Sequence, residues 1–342
     1  MTRRPPPLEA HVTLAHGNGG RLTRELVEQV FARHLDGLLL DTVADAAALP
    51  PPGEGELLVT TDGFTVQPLE FPGGTIGSLA VHGTVNDLAV AGADPWWLSL
   101  NVFIEEGLET AKLERVVASL GEAARRCGVG IAAGDTKVLR RGEGGGLVLA
   151  TTGLGLRPPG VDLGLRRIEP GDRLLVSGPV GDHGTAVMLA REDFGLRGDL
   201  PSDAASVLPL TRAVRHLPGL RFMRDPTRGG LATVLHEIRR ATGLGMEVDE
   251  AAVPVNEPVR AVCELLGYDP LYLACEGRVV AVAAPEAADA VLAAWRALPE
   301  GRGAAVIGRM ADAGGGEVVL RTALGGERLL EELEDDPLPR IC

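Results

Sequence analysis

The sequence predicts a two-domain α+β protein. Strand-like and helix-like segments alternate along the 342 residues without the regular period of a doubly wound sheet. A proline-rich break near residue 160 divides the chain into two halves, each long enough to bury its own core. We therefore expect an N-terminal segment with a glycine-rich lid, a first α/β domain, a second α/β domain and a mobile tail, in residues 1–45, 46–158, 159–328 and 329–342.

The elements of the first half follow from hydrophobic periodicity and turn residues. Apolar spacing at 3.6 residues predicts helices over residues 22–40, 76–91 and 110–127. Runs rich in β-branched residues predict strands over residues 95–104 and 147–155, and a short buried strand over residues 57–63 that ends in a carboxylate. Residues 130–138 are predicted to form a strand that leads into a polar turn.

The second half has a similar alternation. Apolar runs predict strands over residues 173–177, 271–274, 278–283, 304–309 and 317–321. Helical spacing predicts helices after residue 184 and over residues 203–217, 229–242, 256–266 and 286–298.

Charge and cysteine content narrow the class of protein. The net charge of −14 makes a nucleic-acid backbone an improbable partner. The sequence has no apolar run long enough to span a bilayer, and its start has no secretory signal. The spacing of the four cysteines favours neither a disulfide framework nor a zinc site. We expect a protein of the reducing cytoplasm that binds neither nucleic acid nor membrane.

Lysine is rare in this chain. Lys112 and Lys137 are the two lysines among 33 basic residues, and the others are arginine. Arginine does not release its proton at neutral pH, whereas lysine can. Lys137, in Gly134-Asp135-Thr136-Lys137, is therefore a candidate for proton transfer.

Aspartates among small polar residues suggest a metal–phosphate site in the first domain. Asp62, Asp87 and Asp135 each lie at the end of an apolar segment or within one. Each one alone is explained equally well as a turn residue. Together, beside Lys137, they favour Mg²⁺ bound with nucleotide phosphates, because Mg²⁺ prefers oxygen ligands.

Two glycine-rich turns and one glutamate are further candidates for contacts with a bound ligand. The turn His16-Gly17-Asn18-Gly19-Gly20 and the stretch from Asp225 to Gly230 each precede a helix and can expose N–H groups to an anion. The second stretch is equally explained as a helix start capped by Asp225 or Thr227. Glu276, between apolar segments, either pairs with an arginine or favours its protonated form. Cys275 is expected to be a small buried apolar residue.

The last residue, Cys342, follows an acidic, proline-interrupted stretch with the composition of a solvated tail. A cysteine in this position is either incidental or a thiol that carries a covalent intermediate. Prenylation is excluded, because that signal needs three residues after the cysteine.

These motifs together resemble the HypE family of hydrogenase maturation proteins, within the superfamily of aminoimidazole ribonucleotide synthetase and selenophosphate synthetase. The resemblance extends from His16 to Cys342, and the terminal Pro-Arg-Ile-Cys is its most specific feature. Thr75 and Cys275 depart from the residues common in the family. The resemblance is carried by His16-Gly17-Asn18-Gly19-Gly20, Thr60-Thr61-Asp62, Pro72-Gly73-Gly74, the stretch 83–90 around Asn86-Asp87, Gly134-Asp135-Thr136-Lys137, Gly181-Asp182-His183-Gly184, Asp225-Pro226-Thr227-Arg228-Gly229-Gly230, Glu276-Gly277 and Pro339-Arg340-Ile341-Cys342.

The resemblance implies a homodimer that pairs its N-terminal domains, with ATP bound between the domains. It implies ATP-dependent dehydration of a carbamoyl group on Cys342 to a thiocyanate, with the carbamoyltransferase HypF as donor and the HypC–HypD complex as acceptor. The implied catalytic residues are Cys342, Lys137 and Glu276, and the implied metal ligands are Asp62, Asp87 and Asp135. The implied ATP contacts are His16, Gly17, Asn18, Gly19, Asn86, Gly134, Thr136, Asp225, Thr227, Arg228, Gly229 and Gly230.

Two alternatives remain open at the level of sequence. A small-molecule kinase or synthetase of the same superfamily would keep the aspartates and would not need Cys342. A non-catalytic scaffold would carry a group on its tail without ATP hydrolysis.

Overall fold

The computed structural model describes residues 8–35, 46–191, 195–196, 198–311, 316–322 and 324–333. The first half contains α1 (Arg21–Leu26), α2 (Arg33–Leu35), α3 (Ile76–Val90) and α4 (Thr110–Cys127). Its strands are β1 (Glu56–Phe64), β2 (Glu70–Phe71), β3 (Gly74–Thr75), β4 (Asp94–Glu105), β5 (Gly130–Leu139) and β6 (Leu147–Arg157).

The second half contains α5 (Asp182–Arg191), α6 (Leu208–Val214), α7 (Gly230–Thr242), α8 (Glu257–Leu266) and α9 (Ala288–Arg296). Its strands are β7 (Arg173–Val176), β8 (Leu220–Arg224), β9 (Met246–Asp249), β10 (Val280–Ala283), β11 (Ala305–Met310), β12 (Val318–Arg321) and β13 (Glu327–Leu329).

A four-stranded sheet in the order β1-β6-β4-β5 organises the first domain. β4 and β5 are parallel, and the other neighbours are antiparallel. Burial alternates along β4 and β6, because one face of the sheet packs against α3 and α4 and the other does not. We call the second face the open face. Thr75 caps α3 by accepting bonds from Gly77 and Ser78.

The second domain is built on a seven-stranded sheet in the order β13-β12-β9-β11-β7-β10-β8. Its one parallel pair among the described strands is β9 with β12. The domains meet where α3 contacts α6 and β8. Arg212 and Arg215 of α6 pair with Asp94 at 2.7 and 2.8 Å and connect the second domain to the start of β4.

The α+β class and most long elements agree with the sequence-based predictions, including the strand over residues 130–138, which is β5. Several details differ. The predicted buried strand 57–63 is open on one side, where Leu57 and Val59 are 52% and 68% exposed. The predicted helix 203–217 is limited to α6, and residues 271–274 contain the end of a 3₁₀-helix, Pro270–Tyr272, instead of a strand.

Candidate functional site

Three carboxylates meet on the helix-covered face of the first sheet, and we call Asp62, Asp87 and Asp225 the acidic cluster. Asp62 lies on β1 opposite Thr151, a buried residue of β6, so its side chain is directed toward α3. Asp87 lies on α3 and accepts a 2.7 Å hydrogen bond from the Thr60 hydroxyl. Asp225 directly follows β8 and is 5% exposed. A strand, a helix and a loop of the second domain therefore each supply one carboxylate.

Burial and mutual repulsion disfavour the charged forms of these carboxylates. Burial raises the pKa of Asp62, and the charge of Asp87 adds to the effect. Burial also raises the pKa of Asp87, against the hydrogen bond from Thr60. Burial, followed by the charge of Asp87, raises the pKa of Asp225 to about 7. A divalent cation would offset the repulsion, so the cluster has the chemistry of a site for Mg²⁺ and phosphate.

The turn before α7 borders this cluster. Arg228 lies 3.7 Å from Asp62, with its side chain 80% exposed. Gly229 and Gly230 have φ of +70° and +58°, and a Cβ on Gly230 would lie 2.5 Å from the Leu273 carbonyl oxygen. The N-cap residue of α7 is Gly229, which has no side chain to cap the helix. The alternative interpretation, in which Asp225 or Thr227 caps this helix, is therefore wrong. The carbonyl of Thr227 instead accepts a bond from Gly230 N.

Asp135 and Lys137 lie on the other edge strand of the sheet. Their side chains form a 3.2 Å ion pair and are each about 60% exposed. They lie beside Asn101 and Phe103 of β4, which face away from α3, so both are on the open face. We call Asp135, Thr136 and Lys137 the β5 edge. Gly134 allows β5 to approach β4, since a Cβ there would lie 2.6 Å from the Leu100 carbonyl oxygen.

The glycine-rich turn packs against the β5 edge. His16 is buried, and its Nδ1 accepts a hydrogen bond from Thr13 N. Gly17 lies against Val138, where a Cβ would come within 2.9 Å of the valine Cβ. Asn18 ends the short 3₁₀-helix, and Gly19 follows with φ of +76°. The turn and the β5 edge thus form one region.

The predicted metal ligands do not all meet within one chain. Asp62 and Asp135 lie on the two edge strands of the sheet, with β6 and β4 between them, and on opposite faces. Within the described ranges, no three His, Cys, Asp or Glu side chains are grouped closely enough to hold a metal ion. Mg²⁺ commonly binds one or two carboxylates and completes its shell with water and phosphate oxygens. Asp62 and Asp87 suit that role, while within one chain Asp135 lies apart from them, so its part in metal binding stays a prediction.

Asn86 has a structural place that the sequence did not reveal. Its Nδ2 donates to the carbonyl oxygens of Ala205 and Glu276, at 2.9 and 3.1 Å, and its Oδ1 accepts from Val207 N. These bonds occupy the amide and join α3 to the second domain. The cofactor contact expected of Asn86 stays a prediction, and in this structure its side chain holds protein backbone.

Glu276 lies at the same junction and is buried. Its backbone is held on one side by Asn86 and on the other by Asp203, whose Oδ1 accepts from Glu276 N at 3.1 Å. The neighbouring Cys275 donates its N–H to the Pro226 carbonyl oxygen, next to Asp225. Burial raises the pKa of the Cys275 thiol well above its usual range, as expected for a small buried apolar residue. Glu276 therefore adjoins the acidic cluster from the side of the second domain.

Cys342 lies outside the described residues, but the last described part of the chain lies beside the cluster. Residues 329–333, which the sequence assigns to the tail, contact the second domain. Leu330 is buried, the Tyr272 hydroxyl donates to the Glu331 carbonyl oxygen at 2.7 Å, and Arg240 pairs with Glu332 at 2.7 Å. A Cβ on Gly229 would lie 3.2 Å from Leu333 Cδ1, so Leu333 is adjacent to the turn that bears Arg228.

Sequence reasoning missed Asp203 and its partner Arg278. Asp203 is fully buried, and its Oδ2 lies 3.4 Å from Arg278 Nε. Burial raises the pKa of Asp203 to about 6, although the charge of Arg278 opposes the shift. Residue 203 was assigned to the start of a helix, where an aspartate is ordinary. Asp203 differs from a helix-capping aspartate in two ways that only the structure shows: it lies in a loop, and its side chain is buried.

The architecture agrees with comparisons to known proteins. Residues 43–157 match the AIR synthase related protein, N-terminal domain, and residues 169–321 match the corresponding C-terminal domain. Carbamoyl dehydratase HypE of Rhodobacter capsulatus is 48% identical over 338 residues, covering 98% of this chain and 99% of that protein. The chain belongs to the HypE family.

Solved structures of HypE proteins have the same fold. A crystal structure of hydrogenase maturation protein HypE in complex with ATP superposes with a TM-score of 0.91 at 46% identity, covering 96% of this chain and 99% of that one. HypE in a HypE–HypF complex superposes with a TM-score of 0.79 at 40% identity, covering 90% and 99%. In the part of this chain that the structure describes, no helix is both long and apolar enough to cross a bilayer.

Proposed function

We propose that this chain is an ATP-dependent carbamoyl dehydratase of hydrogenase maturation. It would convert a carbamoyl group on the Cys342 thiol to a thiocyanate, the source of the cyanide ligand of the [NiFe]-hydrogenase iron. The amide oxygen leaves on the transferred phosphoryl group as phosphate, ATP becomes ADP, and two N–H protons are lost as the C≡N bond forms. The names of the relatives and the ATP complex of one HypE support this assignment.

The position of residues 331–333 carries the proposal for this particular chain. Leu333 lies against Gly229, whose neighbour Arg228 contacts Asp62. The nine residues from 334 to 342 span at most about 30 Å when extended. The thiol is thus attached within reach of the acidic cluster, and tethering gives a carbamoyl group a high effective concentration there.

The chain's own residues would divide the work as follows. Asp62 and Asp87 would hold Mg²⁺, which when bound offsets the charge of the ATP phosphates. Asp225, Thr227, Arg228 and the glycines after them would contact the phosphates at the turn before α7. Glu276, next to the cluster, would accept a proton, and Lys137 would balance phosphate charge or remove the other proton. The turn from His16 to Gly19, with Gly134 and Thr136, would border the nucleotide.

We propose a homodimer, because one chain leaves the site incomplete. The acidic cluster and Glu276 lie on the helix-covered side, whereas Asp135 and Lys137 lie on the open face. That face presents exposed Leu57 and Val59 on β1, and Phe103 on β4 is half-buried. Two open faces that pack together would bury this apolar surface and enclose Asp135 and Lys137 between the subunits.

The dimer has a direct test. Val59→Glu places a charge on the open face and should convert the protein to monomers in size-exclusion chromatography with light scattering. Leu329→Glu changes another exposed apolar residue, 57% exposed on β13, and should leave the dimer intact. A dimer that persists in Val59→Glu would contradict the proposed interface.

Partners follow from the same chemistry. A HypE relative has been crystallised with HypF, which supports HypF as the carbamoyl donor for this chain. The HypC–HypD complex would accept the cyano group. The described cysteines, Cys127, Cys263 and Cys275, are free and buried, in keeping with a cytoplasmic location.

Intact-mass spectrometry of the carbamoylated chain tests the activity. With ATP and Mg²⁺ the chain should lose the mass of one water, while Cys342→Ala should neither carry the carbamoyl group nor form a thiocyanate. ATP turnover on a small molecule by Cys342→Ala would favour the kinase or synthetase alternative. A carbamoylated chain that releases no phosphate would favour the carrier scaffold.

A further inference from the structure

We propose that Asp203 is a positioning residue for Glu276, acting with Asn86 to fix the Glu276 peptide relative to Asp87. The inference rests on the proposed dehydratase function, in which Glu276 moves a proton. Neither the position of Asp203 in the sequence nor a contact with the candidate nucleotide site suggests this role.

The Glu276 peptide is held by one side chain at each end. Asp203 Oδ1 accepts from Glu276 N at 3.1 Å, and Asn86 Nδ2 donates to the Glu276 carbonyl oxygen at 3.1 Å. The next residue, Gly277, lies so close to the Asp203 carbonyl that a Cβ there would collide with it. Asn86 precedes Asp87 on α3, so the same clamp sets the spacing between the acidic cluster and Glu276.

Asp203 lies in a buried network of charged side chains. Its Oδ2 lies 3.4 Å from Arg278 Nε in an ion pair without a hydrogen bond, because that nitrogen donates to the Pro179 carbonyl oxygen at 2.9 Å. Arg278 lies 3.4 Å from Asp182 as well, and Asn256 donates to both carboxylate oxygens of Asp182. Residues before and after Glu276 in the chain therefore surround Asp203. The Asp203 carboxylate has little freedom to follow the Glu276 peptide if that peptide is displaced.

A fully buried carboxylate destabilises a fold unless charge or hydrogen bonds compensate, so its presence needs a reason. Here the hydrogen bond that compensates the buried Asp203 carboxylate comes from the backbone N–H of Glu276, the proposed base. Displacement of a catalytic group by about 1 Å can slow a reaction by about 10²-fold. Loss of the Asp203 clamp should therefore affect the dehydration step and leave ATP binding nearly unchanged.

The experiment measures single-turnover dehydration of the carbamoylated chain and the KM for ATP. Asp203→Ala should slow dehydration by about 10- to 100-fold with the KM for ATP within about twofold. Asp203→Asn keeps an oxygen that accepts from Glu276 N, so it should recover most of the rate. In a Glu276→Gln background, Asp203→Ala should add little further loss, because both changes act through one group. Asp199→Asn, an exposed aspartate on the same segment, is the matched control.

A wild-type rate in Asp203→Ala, or a full additional loss in the Glu276→Gln background, would overturn the positioning role. If Asp203→Ala does not fold, Asn86→Ala takes its place, with the same expected coupling to Glu276 and the same overturning results. A wild-type carbamoylated chain that forms no thiocyanate, with no loss of the mass of one water, would instead overturn the proposed function, and the role of Asp203 with it. The two failures are therefore distinguishable.

Discussion

The acidic cluster adjoins β1 at one edge of the first sheet and the β5 edge lies at the other, and the chain holds the two groups in place to very different degrees. Asp87 is half-buried and Asp225 is buried, and burial disfavours the charged form of each. Asp135 and Lys137 are mostly exposed and paired with each other. The comparison indicates that one chain preorganises the acidic half of the site, whereas the basic half needs an additional surface to become enclosed.

The largest effect is expected at the β5 edge. Lys137→Arg keeps the positive charge but cannot release a proton, so dehydration of the carbamoylated chain should fall by about 10²- to 10⁴-fold. ATP binding, measured by calorimetry, should persist. Lys112→Arg, at the other lysine of the chain, is the control and should keep the wild-type rate. Full dehydration by Lys137→Arg would remove Lys137 as a base and leave it only a role in charge balance.

The second prediction contrasts one aspartate from each region. Asp87→Asn should abolish Mg²⁺-dependent turnover and at the same time raise the Tm of the metal-free protein by a few degrees, because it removes a half-buried carboxylate whose charged form burial disfavours. Asp135→Asn should also reduce turnover but leave the Tm within about a degree, since the side chain is exposed. Differential scanning calorimetry without metal measures both. A lower Tm in Asp87→Asn would mean that the cluster is not under electrostatic strain.

The third prediction compares two glycines with similar backbone conformation. Gly19→Ala places a Cβ in open space at φ of +76°, and should cost about 1 kcal/mol of unfolding free energy. Gly229→Ala has the same backbone penalty at φ of +70° and also collides with Thr233, so its cost should be about 2–4 kcal/mol. Urea unfolding of the two variants distinguishes them. Equal losses would show that the turn before α7 can relax to accept a side chain.

The smallest effect concerns pH. Burial raises the pKa of Asp203 to about 6, so the folded protein binds this proton more tightly than the unfolded chain. The stability from that proton is fully present below about pH 4 and is lost as pH rises through 6. The Tm of the wild type, relative to that of Asp203→Asn, should therefore be lower at about pH 7.5 than at about pH 4.5. Thermal unfolding of both proteins at these two pH values measures the difference. A constant difference would mean that Arg278 fully compensates the charge.

Sequence patterns were sufficient for most of the long elements. α4 and β4 have regular periodicity, α3 is a long apolar segment, and the motifs around Asp62, Asp87 and Glu276 lie near one another in the structure, while their roles stay predictions. The pairing order of the strands could not be read from the sequence, so Asp135 was expected beside Asp62 although it lies on the opposite edge and face. Short strands such as β8 and β9 were missed, because four or five residues carry little periodicity. Asp203 was missed because burial of a polar side chain depends on tertiary contacts.

The contacts of Glu331, Glu332 and Leu333 also limit where another protein can act on this one. Because the chain is fixed at Leu333, the Cys342 sulfur cannot travel farther from that point than its nine-residue segment extends. If the proposed function holds, an enzyme that loads the thiol, or one that unloads it, would have to present its active site within that reach of the beginning of α7. The proteins that donate and accept the group would compete for the same surface near α7. Loading and unloading of the thiol would therefore occur one after the other.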